Sequence, residues 1–397
     1  MELTKESWED FYRYKLSLAL PKRFTDELRA FIDSEAYLPV VERINRGERF
    51  PLPKRAVISK QDTGKKRVIY TYPPAENIVL KLLTYELLRR YDGIFADGLY
   101  SFRPGRTAQQ AFRRLSRTPG IEKMYCYKVD ISNYFNSVDV SRLLPMLEET
   151  LSDDRELFEF LRSLLCEPEV LERGRVFRES KGIMAGTPLS AFYANLYLKD
   201  LDFSFEGRGI PYARYSDDII LFAHTKEQAE DLAAEVRDRL WEKGLEVNPD
   251  KESLTPPGEQ WVFLGLCRRG GVIDIAPASV AKLKAKMRRK ARSLLRWRQR
   301  GGHSPEDAAK AFIRIFERKL FEGAGDSDLT WSYWYFPVIT TAESLRTIDL
   351  YAQDCLRYIL TGARNKSRFR VRYSRLKTLG YRSLVHEYYA RRKAAES

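Results

Sequence analysis

The stretch YCYKVDISNYF (125–135) decides the fold. Its first seven residues alternate as a half-buried strand does, and the strand closes on a carboxylate, Asp130. A carboxylate packed beside apolar strand residues is costly unless something pairs with it. Two more acids, Asp217 and Asp218, sit at the polar tip of YARYSDDIILFA (212–223), which reads as two short β runs forming a hairpin. Between these places lies KGIMAGTPLSAFYANLYLKDLD (181–202), a glycine-punctuated loop running into a helix from about Pro188. Proline suits a first helical turn because its missing N–H would be unpaired there anyway. An Asp-Asp pair alone is ordinary turn composition. It becomes informative beside Asp130 and the glycine loop. Converging carboxylates repel one another, a divalent cation relieves the repulsion, and hard oxygen ligands favour Mg²⁺ or Mn²⁺.

Outward from this centre, KRAVISKQDTGKKRVIYTY (54–72) suggests two short β segments joined at Thr63-Gly64, and 76–91 has helical apolar spacing. SFRPGRTAQQAFRRL (101–115) is a loop entering a helix with Thr107 as N-cap. Helices are expected from about 140 to 166. Residues 225–243 form the clearest helix: Thr225 and Gln228 make a capping box, Ala229, Leu232, Ala233, Val236 and Leu240 one face, and Gly244 the stop. Residues 261–275 look like β structure, and 279–300 like a helix with the stripe Leu283, Met287, Ala291, Leu294 and Leu295. An aromatic cluster, Trp331, Tyr333, Trp334, Tyr335 and Phe336, lies in the helical remainder.

The chain has 397 residues and a net charge of +14, and the surplus is concentrated. Residues 281–397 carry +16, whereas 1–280 carry −2. The helix at 279–300 alone holds ten Lys/Arg and no acid. A concentrated positive field attracts polyanions, of which a nucleic-acid backbone is the commonest, although a solvated basic face gives the same count. At 44% hydrophobic and 13% aromatic, a disordered chain is excluded. Cys126, Cys166, Cys267 and Cys355 are far apart with no CxxC, which argues against a zinc ribbon or a disulfide framework and for a reducing, cytoplasmic setting. No signal-length or membrane-spanning apolar run occurs, so no membrane role is expected.

KVDISNYFNSVD (128–139), GIMAGTPLSAFYANLYL (182–198), YSDDIILFA (215–223), NPDKES (248–253) and FLG (263–265), in that order, resemble the successive palm motifs of reverse transcriptases. GKKRVIY (64–70) and SFRPGRTAQQA (101–111) resemble the fingers motifs of the bacterial, group II intron-like branch. The resemblance implies an α+β right-hand polymerase. Residues 1–50 would be an N-terminal helical extension, 51–276 fingers and palm with antiparallel sheet plus helices, and 277–397 a helical basic thumb. It implies an RNA-directed DNA polymerase that adds dNTPs to a 3′-hydroxyl with two Mg²⁺ ions, or Mn²⁺ in their place.

The same resemblance assigns roles residue by residue. Asp130 and Asp217 bridge the metals, Asp218 helps less directly, and the Ile131 carbonyl is a further ligand. Phe135 closes the pocket against a ribose 2′-hydroxyl, with ordinary core packing as its competing role. Arg67, with Lys65, holds the triphosphate through the guanidinium fork. Arg103 either joins them or braces its own loop. Lys251 protonates pyrophosphate or is a solvated lysine. Gly186, Pro188 and Ser190 shape the loop under template and nucleotide, and Phe263, Leu264 and Gly265 form a turn gripping the primer. The basic helix, with Arg368, Arg370, Arg372, Tyr373, Lys377 and Tyr381, would add charge and stacking for single strands.

Two departures stand out. Met184-Ala185-Gly186 replaces the usual Pro-Gln-Gly, which bears on fidelity and template choice. No zinc-finger or nuclease pattern follows the thumb, which argues against an endonuclease-bearing intron maturase. YSDD, GTPLS and the tail LGYRSLVHEYY (379–389) look most like the defence-associated reverse transcriptases of bacteria. That likeness implies a structured non-coding RNA as template and partner, a cDNA product and a role against phage. The alternatives are an RNA-templated RNA polymerase and a non-catalytic RNA-binding scaffold or splicing helper. Priming on RNA, DNA or a protein hydroxyl stays open, as does an oligomeric state.

Overall fold

The computed structural model describes residues 3–18, 22–59, 66–322 and 330–396. The turn expected at Thr63-Gly64, and Lys65, lie outside them. The chain divides into two compact units, with the division at 257/258. Among the described residues the strands are β1 (Lys54–Ser59), β2 (Lys66–Thr71), β3 (Tyr125–Asp130), β4 (Glu169–Glu172), β5 (Arg175–Arg178), β6 (Tyr212–Tyr215), β7 (Asp218–Ala223), β8 (Ser253–Thr255), β9 (Trp261–Phe263), β10 (Leu266–Arg269) and β11 (Val272–Ile275).

In the first unit one sheet has the order β6-β7-β3-β8, antiparallel throughout, and another has β2-β1-β4-β5. Three helices, Lys5–Ser17, Lys22–Asp33 and Leu38–Asn45, form the N-terminal segment. The alternation read at 125–131 becomes β3, with Val129 and Ile131 fully buried. Helices Pro74–Arg90 and Ser190–Tyr197 are embedded in the core: Val79, Leu80, Leu82 and Leu83 of the first and Phe192, Ala194, Leu196 and Tyr197 of the second are buried. Thr107 closes a full capping box with Gln110, and the Gln228 N–H donates to Thr225 Oγ1 at 3.2 Å. Each cap contributes about 1 kcal/mol.

The hairpin β4–β5 was not expected from the sequence. Its turn residues Arg173 and Gly174 both have positive φ, 51° and 79°, as a tight two-residue hairpin requires. Arg-Gly is a weak turn signal, and the flanking strands are too charged to show a clean alternation.

The second unit pairs β9, β10 and β11 with helices Pro277–Gly301, Pro305–Glu317 and Glu343–Thr361. The apolar stripe read from 283 to 295 is buried there, as are Phe312, Ile348, Leu356 and Ile359 on the two helices packed against it. The boundary expected at 276/277 differs from this division. The reason is local: the Ala276 N–H donates to the Gly265 carbonyl at 2.9 Å, and Ser344 Oγ donates to Asp274 at 2.8 Å, tying the strands to the helices that follow. In the turn after Phe263, Leu264 and Gly265 have φ of 50° and 80°. A Cβ on Gly265 would lie 2.9 Å from the Tyr335 hydroxyl, so the position demands glycine twice over. No helix among the described residues is long and apolar enough to cross a membrane.

Candidate active site

Strand β3 is flanked on both sides, so its C-terminal end is firmly held. Asp130, its last residue, lies in register opposite Asp218, the first of β7. The Ile131 N–H donates to the Asp217 carbonyl at 3.0 Å, and the Asn248 N–H donates to the Asp130 carbonyl at 2.7 Å. Three sequence-distant segments therefore meet at one end of one sheet. The β6–β7 turn is Ser216-Asp217, with Ser216 left-handed at φ 58°, so Asp217 stands at the tip beyond the paired residues.

A cavity of about 540 Å³ opens at this end. Asp130, Ile131, Asp217, Phe135, Arg67, Asn248 and Lys251 line it. Burial, then the neighbouring Asp130 and Asp218, raise the carboxyl pKa of Asp217 above the usual range. Burial likewise raises Asp218, partly offset by Lys128, whose Nζ lies 3.3 Å away. Lys251 Nζ sits 2.7 Å from the Asp130 carboxylate. Partial burial pulls its pKa down, but the Asp130 hydrogen bond and charge outweigh that and hold it raised.

This donor set fits a divalent cation that shares its ligands with a substrate. Asp130 and Asp217 are hard oxygen donors in one cavity, and an ammonium already rests on Asp130 where positive charge is favoured. Among the described residues no group of three or more His, Cys, Asp or Glu side chains is arranged to hold an ion on its own. Mg²⁺ characteristically takes one or two carboxylates and completes its shell with water and phosphate.

The twin acids separate: Asp217 lines the cavity, whereas Asp218 faces Lys128 and is not among its lining residues. Phe135 is half-buried on the short helix Tyr134–Ser137, with its carbonyl held by the Ile183 N–H at 2.8 Å. Arg67 is exposed on β2, and its side chain makes no hydrogen bond or ion pair with another described residue. The glycine loop packs against β2: the Tyr70 N–H donates to the Ala185 carbonyl at 2.8 Å, and a Cβ on Gly186, at φ 99°, would lie 3.0 Å from the Tyr70 carbonyl. Ala185 lines the cavity; Gly186, Pro188 and Ser190 do not, and the helix begins at Ser190. Phe263, Leu264 and Gly265 belong to the second unit.

Of the two roles open to Arg103, the structure places it in the bracing one. Its guanidinium is buried and bonds both Asp92 carboxylate oxygens, at 2.7 and 3.1 Å, and the carbonyls of Asp92, Ala96 and Leu99. It braces its own loop and does not line the cavity. In the C-terminal tail, Tyr381 is also committed internally, its hydroxyl donating to Asp349 at 2.8 Å, and Arg368 pairs with Asp354 at 2.6 Å.

Sequence reading missed the support beneath the hairpin. Arg214 and Asp202 are fully buried and paired at 2.6 Å, and Arg214 also donates to the carbonyls of Asn195 and Ser216 at 3.1 and 3.3 Å. Tyr212 donates to the same Asp202 at 2.6 Å. The signal was an arginine inside an otherwise apolar strand run, YARY. Asn136 was missed as well: it donates to the Val68 carbonyl and accepts from the Ala185 N–H, at 3.1 and 2.9 Å, joining β2 to the loop.

Residues 58–267 match the family described as reverse transcriptase (RNA-dependent DNA polymerase). The chain belongs to the reverse transcriptase family. Its sequence is similar to the group II intron-encoded protein LtrA of Lactococcus lactis subsp. cremoris, 23% identical over 188 residues, covering 46% of this chain and 30% of that protein. It is also similar to the retron Ec86 reverse transcriptase of Escherichia coli, 24% identical over 178 residues, covering 43% of this chain and 50% of that protein. The matches thus span half or less of these relatives' lengths. Among solved structures, apo telomerase from Candida tropicalis shares the fold, with a TM-score of 0.50 at 12% identity over 84% of this chain and 60% of that one. The fold is the α+β right-hand polymerase fold.

Proposed function

We propose that this chain is an RNA-directed DNA polymerase that adds dNTPs to a primer 3′-hydroxyl. The observation that carries the reading is the meeting of Asp130 and Asp217 in one cavity with Arg67 and Phe135. Asp130 and Asp217, with the Ile131 carbonyl, would hold the divalent ions, with Asp218 supporting from beside them. When bound, Mg²⁺ supplies Lewis-acid activation of the hydroxyl and neutralises charge on departing pyrophosphate. The Arg67 side chain lacks a described partner and is therefore available to a triphosphate, with Lys65 as its expected neighbour. Lys251 keeps its proton at neutral pH and can deliver it to the leaving group. Phe135 limits the space beside the sugar and so selects against a 2′-hydroxyl.

The glutamine that usually contacts nucleotide or template is Ala185 here, which lines the cavity without a polar group. Template contact in this region therefore falls to backbone and to neighbouring side chains. A structured non-coding RNA template, a cDNA product and a role in antiphage defence complete the proposal. They rest on the YSDD, GTPLS and LGYRSLVHEYY patterns and on the basic C-terminal third. Purified protein given primed RNA, Mg²⁺ and dNTPs should make DNA and should use NTPs poorly. Equal use of NTPs would favour an RNA polymerase. No synthesis, with biological activity surviving Asp217→Asn, would favour an RNA-binding scaffold.

A further inference from the structure

We propose that Asn136 is a positioning residue for the incoming nucleotide: its side-chain carboxamide fixes the strand that carries Arg67 against the helix that carries Phe135, and so sets the grip on the triphosphate. Asn136 lines the same cavity as Arg67, Phe135 and Ala185, and follows Phe135 on the helix Tyr134–Ser137. Its Nδ2 donates to the Val68 carbonyl at 3.1 Å, and its Oδ1 accepts from the Ala185 N–H at 2.9 Å. The Tyr70 N–H in turn donates to the Ala185 carbonyl at 2.8 Å. Val68 and Tyr70 are two apart on β2, an outer strand of its sheet, so these backbone groups point to the same side. The carboxamide thus fills the place of a peptide unit in a short ladder between β2 and the glycine loop.

The place needs a donor toward Val68 and an acceptor toward Ala185 at once. A carboxylate of the same size has no donor, and a leucine has neither group. Val68 directly follows Arg67, whose side chain has no described partner, so the strand decides where the guanidinium stands. The contact between helix and loop is made by backbone instead. The Ile183 N–H donates to the Phe135 carbonyl at 2.8 Å, and a Cβ on Gly182, at φ 52°, would lie 2.5 Å from that carbonyl. Removing the carboxamide therefore leaves Phe135 and the loop in place and loosens the strand that carries Arg67. A small displacement of a binding group is felt strongly in a reaction that depends on orientation.

The test uses the full-length protein with primed RNA, Mg²⁺ and dNTPs. Because this role rests on the polymerase reading, dNTP affinity is also measured without turnover, on a dideoxy-terminated primer. Asn136→Leu keeps the branched shape and removes both bonds. It should raise the dNTP KM and the dissociation constant about tenfold, with kcat within about twofold and the dNTP-over-NTP ratio kept. Asn136→Asp, which lacks only the donor toward Val68, should raise KM in the same direction. Arg67→Ala should weaken dNTP binding as well, and adding Asn136→Leu to it should cost little more, because Asn136 acts through Arg67. Melting curves check that each variant is folded at the assay temperature. Losses that multiply in the double variant, or a fall in kcat at unchanged KM, would overturn the role. An active parent whose dNTP affinity is unchanged by Asn136→Leu would overturn this inference alone. A parent that binds dNTP in an Asn136-dependent way but makes no DNA would support it while the polymerase reading failed.

Discussion

Two clusters of charge lie a few residues apart along β6 and β7 and have opposite characters. Below the hairpin, Arg214 and Asp202 are fully buried, and the guanidinium is matched by a carboxylate and backbone carbonyls. At its tip, Asp217 shares a cavity with Asp130 and is held at a raised pKa by burial and by like charge. The first cluster is satisfied from within the fold. The second is completed only by something added. The comparison teaches that burial and charge do not identify a site. What identifies one is charge that the fold leaves uncompensated, and Arg103 against Arg67 repeats the lesson.

The contrast breaks most visibly at the satisfied cluster. Arg214→Met should cost about 3–5 kcal/mol of stability, because Asp202 is left buried without its partner. Denaturant unfolding reads this, and adding Asp202→Leu should restore much of the loss. Lys251→Ala should slow nucleotide addition about 10²-fold, as loss of a positioned proton donor does, with little change in melting. Pre-steady-state kinetics with a thio-substituted or better leaving group would sharpen this by partial rescue. Phe135→Ala should narrow the preference for dNTP over NTP by about tenfold or more, measured as a ratio of kcat/KM values.

The smallest effect concerns proton and metal linkage at Asp217. Its folded pKa lies above the unfolded value, so the native state binds more protons between the two. The stability cost of the ionised group is present at neutral pH and fades as pH falls through the raised pKa. Asp217→Asn should therefore raise metal-free stability by about 1 kcal/mol near pH 7, with the gain shrinking in acid. Mg²⁺ should raise the melting temperature of the parent more than that of the variant. By the same logic, the Mg²⁺ concentration needed for activity should rise as pH falls.

Much of this was legible locally. Alternation at 125–131, the caps at Thr107 and Thr225 and the stripe at 283–295 each state their element within one turn or strand, and each is found in the structure. The convergence of Asp130 with Asp217 was read from ordered motifs, since sequence spacing alone carries no distance. What stayed hidden was pairing across long separations. Arg214 is a polar residue inside a strand run, and only the fold supplies Asp202 and the carbonyls that explain it. Arg103 kept two roles open in the sequence because its partners at 92, 96 and 99 are brought to it by a loop. Residues 261–275 read as β structure grouped with the fingers and palm, yet β9–β11 form a sheet of their own tied to the helices that follow.

The central claim is that Asp130 and Asp217 act as one site for DNA synthesis on RNA. Primer extension by the parent, Asp130→Asn, Asp217→Asn and the double variant tests it most directly, with melting curves confirming that each is folded. DNA is expected from the parent, a loss of at least ~10³-fold in either single variant, and no further loss in the double. Losses that multiply in the double variant, or extension at the parental rate by either single one, would contradict it.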